Sequence, residues 1–164
     1  MLNRKKKVII AVTAVLLLLF AGCAELPADQ PNEADMHIEQ ITFSISPADF
    51  TSAMAENTYY SSVPNEKDNT IQFEDVSSSI TVTAMLYDER ITTIVFGVQG
   101  ISTAGNEINV YTDRLNAVAT IVMEQEITCP TSIFTEAQTI SVSGVTFESV
   151  FGSDDIMVIM VPEN

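Results

Sequence analysis

The sequence predicts an α+β domain in which an antiparallel β-sheet carries one or two helices on one face. Over residues 80–87, apolar side chains alternate with threonines and other surface residues, which is the period of a strand with one buried face. Over residues 115–122, apolar side chains recur at positions i, i+3, i+4 and i+7, which is the period of an amphipathic helix. Because strands precede and follow this helix, the order of elements favours an antiparallel sheet with helices on one side.

The clearest local pattern is a β-hairpin. The polar residues Asp88, Glu89 and Arg90 separate the strand at residues 80–87 from a second apolar run at residues 91–98. A short polar turn between two strand-like runs is typical of a hairpin. The second run is apolar at most positions, which predicts a central strand.

The region before the hairpin is predicted to hold a strand, a short helix and another strand. The first strand is predicted at residues 36–45, because Ile41, Phe43 and Ile45 alternate with polar side chains. Ser46 can cap a helix whose first turn holds Pro47, and this helix is expected to fade near Asn57. The polar residues 58–70 then predict a surface loop, and a second strand is expected at 71–76.

The region after the hairpin is predicted to add a short strand at residues 106–111 and a helix that Thr112 and Asp113 cap and that ends near Gln125. Residues 127–134 are ambiguous because Pro130 interrupts them. The remaining predictions are paired strands at 139–142 and 145–151, a turn at 152–155, and a closing strand at 156–161 that is apolar enough to be central.

The N-terminus has the three parts of a secretory signal peptide. Residues 4–7 are basic, residues 8–20 are apolar except for Thr13, and the small residues Ala21 and Gly22 precede Cys23. A membrane-spanning helix needs about 20 apolar residues, so this run is short for one. An uncleaved membrane helix is the alternative interpretation.

The segment Leu19-Phe20-Ala21-Gly22-Cys23 resembles the lipobox of bacterial lipoproteins, although Phe20 stands where that family more often has leucine. The resemblance implies cleavage between Gly22 and Cys23 and attachment of diacylglycerol to the Cys23 sulfur. It therefore implies a signal peptide at 1–22, a lipidated cysteine with a flexible acidic tether at 23–35, and a single domain at 36–164. The expected location is the extracytoplasmic side of a cell membrane, held by lipid.

Charge narrows the classes of partner. The chain has 22 acidic residues, and only Lys67, Arg90 and Arg114 are basic after residue 22. Nucleic acid is excluded as a partner because its binding needs lysine and arginine at the phosphates. The acidic excess is compatible with an envelope protein or a cationic partner. The simpler interpretation is a solvated surface that keeps an exported protein soluble.

Four residues are candidates for chemistry or for contact with a partner, and each has a purely structural alternative. His37, the single histidine, lies beside the tether and is expected to be an ordinary surface histidine. Cys129 is left alone once Cys23 carries lipid, and it is expected to be a buried structural thiol. Tyr59 and Tyr60 are either a contact patch or a pair with one ring packed on the domain.

No catalytic or metal-ligating motif is recognisable, so the sequence predicts no catalytic residue, no metal site and no cofactor. Adjacent carboxylates are too close in sequence to face each other across a substrate, as glycosidases require, and they lack the spacing of a calcium loop. These pairs are Glu74/Asp75, Asp88/Glu89 and Asp154/Asp155.

A second resemblance concerns residues 43–50, FSISPADF, which are similar to the opening strand, proline turn and aromatic residue of PsbP-like domains. That family continues with a loop and a strand such as residues 73–86, and it includes small exported lipoproteins that are mostly non-enzymatic. The hairpin at 80–98 and the glycine-interrupted stretch after it depart from the family pattern.

The sequence thus leads to one functional hypothesis and two alternatives. The first is a membrane-anchored, non-enzymatic binding or interaction module, without a cofactor. The second is an envelope or polysaccharide hydrolase that uses dispersed carboxylates. The third concerns only the signal, because residues 15–22, VLLLLFAG, look like the apolar octapeptide pheromones released from some lipoprotein signals.

Overall fold

A computed structural model of the chain describes residues 40–61, 64–67, 69–75, 79–100 and 105–163. The elements are α1 (Pro47–Glu56), β1 (Asn65–Lys67), β2 (Thr70–Glu74), β3 (Ile80–Tyr87), β4 (Arg90–Gln99), α2 (Gly105–Met123), a 3₁₀ helix (Thr131–Phe134), β5 (Thr139–Val142), β6 (Val145–Phe151) and β7 (Asp155–Pro162). The seven strands form one sheet in the order β1-β2-β3-β4-β7-β6-β5, and every neighbouring pair is antiparallel. The predicted α+β class is confirmed.

The core lies between one face of this sheet and the helices. Phe50 of α1 meets Phe73 of β2 edge-on, with ring centroids 6.0 Å apart. Phe134 of the 3₁₀ helix meets Phe96 of β4 in the same way at 5.9 Å. All four rings are at most 1% exposed. The prediction that the helices cover one face of the sheet is therefore confirmed.

The predicted hairpin is β3 and β4, and its turn has the expected handedness. Asp88 and Glu89 have φ values of 50° and 60°. Two left-handed residues in a two-residue loop match the twist of antiparallel strands, and aspartate tolerates this conformation better than most residues. A register shift between Met85 and Leu86 accommodates Thr92, whose hydroxyl donates to the Met85 carbonyl at 3.3 Å.

Helix α1 begins where the sequence predicts, but the strand expected before it is absent from the part described. The Ser46 hydroxyl accepts from the Asp49 backbone N–H at 3.1 Å, and Pro47 occupies the first turn. Residues 40–46 form no strand. Phe43 donates one backbone hydrogen bond to the Ile91 carbonyl at 2.9 Å. Alternating burial needs only an extended backbone, and this segment turns into α1 instead of adding a ladder.

The strand predicted at residues 106–111 is wrong, because α2 already begins at Gly105. The apolar stripe continues backwards from Leu115 to Tyr111, one helical turn earlier, and both side chains are buried. The Thr112 hydroxyl donates to the Ile108 carbonyl four residues before it, at 2.8 Å, which is a contact made inside a helix and not at its cap.

The C-terminal predictions are confirmed as β5, β6 and β7, with β7 inside the sheet between β4 and β6. Ser143 and Gly144 form the β5–β6 turn with φ values of 52° and 83°. The ambiguous residues 127–134 contain the 3₁₀ helix, which Pro130 precedes. The three-residue edge strand β1 lies inside the predicted loop at 58–70, where its polar sequence gave no strand signal.

Candidate interaction surface

The face of the sheet opposite the helices is the largest feature that the core does not use. Its side chains fall into three cross-strand rows, fixed by the strand register, and together these rows are called the open face. The first row has two parts, Lys67, Thr70, Met85 and Thr93 on β1 to β4, and Val161, Thr146 and Ser141 on β7, β6 and β5. The second row is Asn65, Gln72, Thr83, Val95, Ile159, Glu148 and Thr139, and the third is Glu74, Thr81, Gly97, Met157 and Val150.

The open face alternates with the core along every long strand. On β4, Val95 and Gly97 are half-buried, whereas Phe96 between them is fully buried. On β7, Met157 and Ile159 are half-buried and Val158 is fully buried. Within the described ranges, the rings of α1 and of the 3₁₀ helix pack on the Phe96 side only. The middle of the open face is thus partly accessible and apolar.

Charge is sparse on the open face. Among the described residues in its three rows, Glu74 and Glu148 are the acids and Lys67 is the base. The chain as a whole carries 22 acidic residues. A contiguous apolar and threonine-rich patch on the surface of a highly acidic protein is the kind of patch that contacts a partner.

Glu163 lies at the C-terminal edge of the open face. Hydrogen bonds from Ser141 and Thr146 lower the pKa of its exposed carboxyl.

Gly97 lies in the middle of this face, where it makes room for a neighbouring side chain. A Cβ atom added there would stand 2.9 Å from the Thr81 Oγ1 atom, closer than ordinary contact. Thr81 and Met157 are the cross-strand neighbours of Gly97 in the third row. The Thr81 side chain therefore occupies the space that a side chain at residue 97 would need, and only glycine allows this close cross-strand approach.

A second cluster joins α2 to the end of β2. The Arg114 Nε atom lies 3.1 Å from the Asp75 Oδ2 atom, and the Asp75 side chain is 0% exposed. The Arg114 guanidinium carbon lies 3.3 Å from the centroid of the Tyr59 ring, which is a cation–π contact. An arginine held by a carboxylate on one side and a ring on the other ties three segments together.

Tyr60 completes this cluster from the core side. Its hydroxyl donates to the Arg114 backbone carbonyl at 3.5 Å, and its residue is 4% exposed. Burial, with a smaller contribution from the Asp75 carboxylate, raises the pKa of Tyr60. Tyr59 is 39% exposed. The interpretation in which one ring of this pair packs on the domain is confirmed.

Two shallow grooves meet at Pro47. The larger, of about 640 Å³, lies between the start of α1 and the β1–β2 turn. The smaller, of about 490 Å³, lies against the β3–β4 turn. Lys67 lines the first groove and Arg90 the second, but Glu89 stands beside Arg90. Over the residues that the structure describes, the first groove has Lys67 as its one charged lining residue and the second has charges of both signs, and neither has a converging set of polar side chains like that of a small-molecule site.

The adjacent carboxylates do not converge. Glu74 is exposed while its neighbour Asp75 is buried against Arg114. The other two pairs are exposed, at residues 88–89 in the β3–β4 turn and at residues 154–155, where β7 begins. Throughout the described ranges, no group of three or more histidine, cysteine, aspartate or glutamate side chains is placed to hold a metal ion.

Cys129 is 2% exposed and is a free thiol, as predicted. Burial raises the pKa of this thiol to about 12, so the reactive thiolate is scarce at neutral pH. Gly22, Cys23 and His37 lie outside the described residues. In the part of the chain that is described, no helix combines the length and apolar character needed to cross a bilayer.

No family model, no curated protein and no solved structure matches this chain. The lipobox resemblance and the PsbP-like resemblance therefore stay predictions. Sequence patterns indicated the open face only strand by strand, because the rows arise from pairing between β2, β3, β4, β7 and β6. The contact between Asp75 and Arg114 had no sequence signal, since 38 other residues separate the two.

Proposed function

We propose that this chain is a bacterial lipoprotein, held by acylated Cys23 on the extracytoplasmic side of a cell membrane, whose domain is a non-enzymatic binding or interaction module. The observation that carries the module is the open face, an apolar and charge-poor surface on an otherwise acidic chain. The observation that carries the anchor is the sequence from the basic residues 4–7 to Cys23.

Two or more acyl chains anchor a protein stably, at about 0.8 kcal/mol per buried CH₂ group, whereas one chain holds it only marginally. The acidic excess keeps the domain from lying on anionic lipid, because both carry negative charge. A lipid anchor joined to a tether at 23–35 would hold the domain beside the membrane with its surface available to partners. The open face is the best candidate for that contact because apolar side chains gain most from leaving water.

The experiment compares membranes from cells that produce the wild-type chain, Cys23→Ser, Val95→Glu and Val110→Glu, after cross-linking with formaldehyde. Cys23→Ser is expected to leave the membrane or to accumulate as the uncleaved precursor. Val95→Glu is expected to stay in the membrane and lose the cross-linked species, because it puts a charge in the middle of the open face without adding an amine that formaldehyde could couple. Val110 lies on α2 and is 42% exposed, so Val110→Glu is the matched control that keeps them.

Normal processing and membrane retention of Cys23→Ser would overturn the lipid anchor. Cross-linked species that survive unchanged in Val95→Glu would overturn the open face as the contact surface. Thermal unfolding of each variant, followed by circular dichroism, shows whether a lost contact reflects a lost fold.

A further inference from the structure

We propose that the partner of the open face is a second copy of this chain, packed face to face about a two-fold axis parallel to β4; this inference rests on the proposed function. Strand β4 is the middle strand of the seven, with three strands on either side. A two-fold axis that runs along β4, midway between the two sheets, therefore places the whole open face of one copy over that of the other. It lays β3 of each copy over β7 of the other, and β2 over β6.

The area of the open face suits such a dimer. Five strands about 4.8 Å apart, each with at least five residues, cover about 24 Å by 17 Å, and the shorter edge strands β1 and β5, of three and four residues, add about a quarter more. Two faces of that size remove about 1,000 Å² from water. A specific interface is expected to clear about 1,000 Å². Two sheets packed in this way form a β-sandwich, an arrangement whose inner side chains interdigitate.

The pairing of side chains across this axis is favourable in the second row. Val95 of one copy faces Val95 of the other, and Thr83 faces Ile159. In the third row the axis passes Gly97, which adds no side chain between the sheets, and Met157 of each copy faces Thr81 of the other. A self-complementary patch of this kind is what a two-fold interface requires.

Charge favours a two-fold axis parallel to the strands over one perpendicular to them. An axis perpendicular to the strands would place Glu148 of one copy opposite Glu148 of the other, which is destabilising. The axis parallel to β4 instead places Glu148 opposite Gln72, whose amide can donate to a carboxylate. Lys67 lies one strand and one row from Gln72. The acids of the face then meet no like charge directly across the interface.

The same charges argue against a basic protein as the occupant. Glu74 on β2 and Glu148 on β6 stand four strands apart. The strands between them carry Thr81, Gly97 and Met157 in the third row, and Thr83, Val95 and Ile159 in the second. A cationic partner is recognised by clustered carboxylates, and here the carboxylates are separated by apolar and hydroxyl side chains. An apolar, self-matching surface fits a second copy better.

The test is cysteine cross-linking of the full chain in its own membranes. The Cα atoms of facing sheets lie about 10 Å apart, too far for a disulfide, so a short bismaleimide is the probe. Val95→Cys is expected to give an adduct of two chains, at least about tenfold more than Val110→Cys on α2. When two tagged chains are produced together, Thr83→Cys and Ile159→Cys are expected to join each other more than either joins itself. Cys129 is buried, and the unsubstituted chain measures its background.

An adduct between Val95→Cys and a different protein would overturn the second copy while leaving the proposed function standing. Absence of any adduct from correctly folded Val95→Cys overturns the dimer, and the formaldehyde experiment then decides separately whether the open face binds anything else. A stronger adduct of Thr83→Cys with itself than with Ile159→Cys overturns the axis, since the perpendicular axis places Thr83 opposite Thr83. Unchanged thermal unfolding of each variant shows that the fold is intact.

Discussion

Phe96→Ala is expected to lower the free energy of unfolding by about 3–5 kcal/mol, whereas Val95→Ala, one residue earlier on β4, is expected to lower it by about 1 kcal/mol. Phe96 is 0% exposed and packs edge-on against Phe134, so its removal leaves a cavity that the helices cannot fill. Val95 points to the open face, where water already reaches it. Urea unfolding of the purified chain, followed by circular dichroism, measures both changes in the free energy of unfolding.

The protein concentration in that experiment is kept low enough for the chain to be monomeric, because association would add stability to the wild type. Val98→Ala is a matched control for residue type, since Val98 is 1% exposed and lies on the Phe96 side of β4. Its loss of stability is expected to exceed that of Val95→Ala. Equal costs at Val95 and Val98 would mean that both sides of β4 are buried in the monomer.

Arg114→Met is expected to lower the free energy of unfolding by about 3–5 kcal/mol, because it removes the cation that faces a buried carboxylate. The Asp75 side chain is 0% exposed, so its charge depends on the protein for stabilisation. The comparison is again urea unfolding. Arg90→Met, at an exposed position at the start of β4, is the matched control and is expected to stay within about 0.5 kcal/mol of wild type.

The double variant Asp75→Asn with Arg114→Met distinguishes an ion pair from simple packing. If the two charges depend on each other, the double variant loses less stability than the sum of the two single variants. Strict additivity, or a cost for Arg114→Met no larger than that of Arg90→Met, would show that the 3.1 Å contact contributes nothing.

Local sequence patterns predicted the strands with a strong apolar signal, and they failed where tertiary contacts determine the secondary structure. Strand β3 was predictable because its apolar side chains alternate, and β4 and β7 were predictable because they are apolar at most positions. The first two turns of α2 were not predictable, because β-branched residues such as Ile108 and Val110 favour strands. Edge strand β1 is polar, and its pairing with β2 is the only feature that makes it a strand.

The open face illustrates the same limit for function. Each strand shows which of its side chains point away from the core, but the rows depend on strand order, and β7 pairs with β4 across more than fifty residues of chain. The Asp75–Arg114 pair is likewise a product of topology. In contrast, the proposed lipid anchor depends on a contiguous motif ending at Cys23, which is why sequence alone suggested it.

The open face and the packed face can be compared directly on one strand, β7. The purified, monomeric chain is oxidised with hydrogen peroxide, and each methionine is followed by peptide mass spectrometry. Met157 is half-buried on the open face, and Met160, three residues later on β7, is 1% exposed among the core residues. Because oxidation follows exposure of the sulfur, Met157 is expected to react at least about tenfold faster than Met160. Equal rates, or a Met157 as protected as Met160, would show that both faces of the sheet are covered and would contradict an interaction surface there.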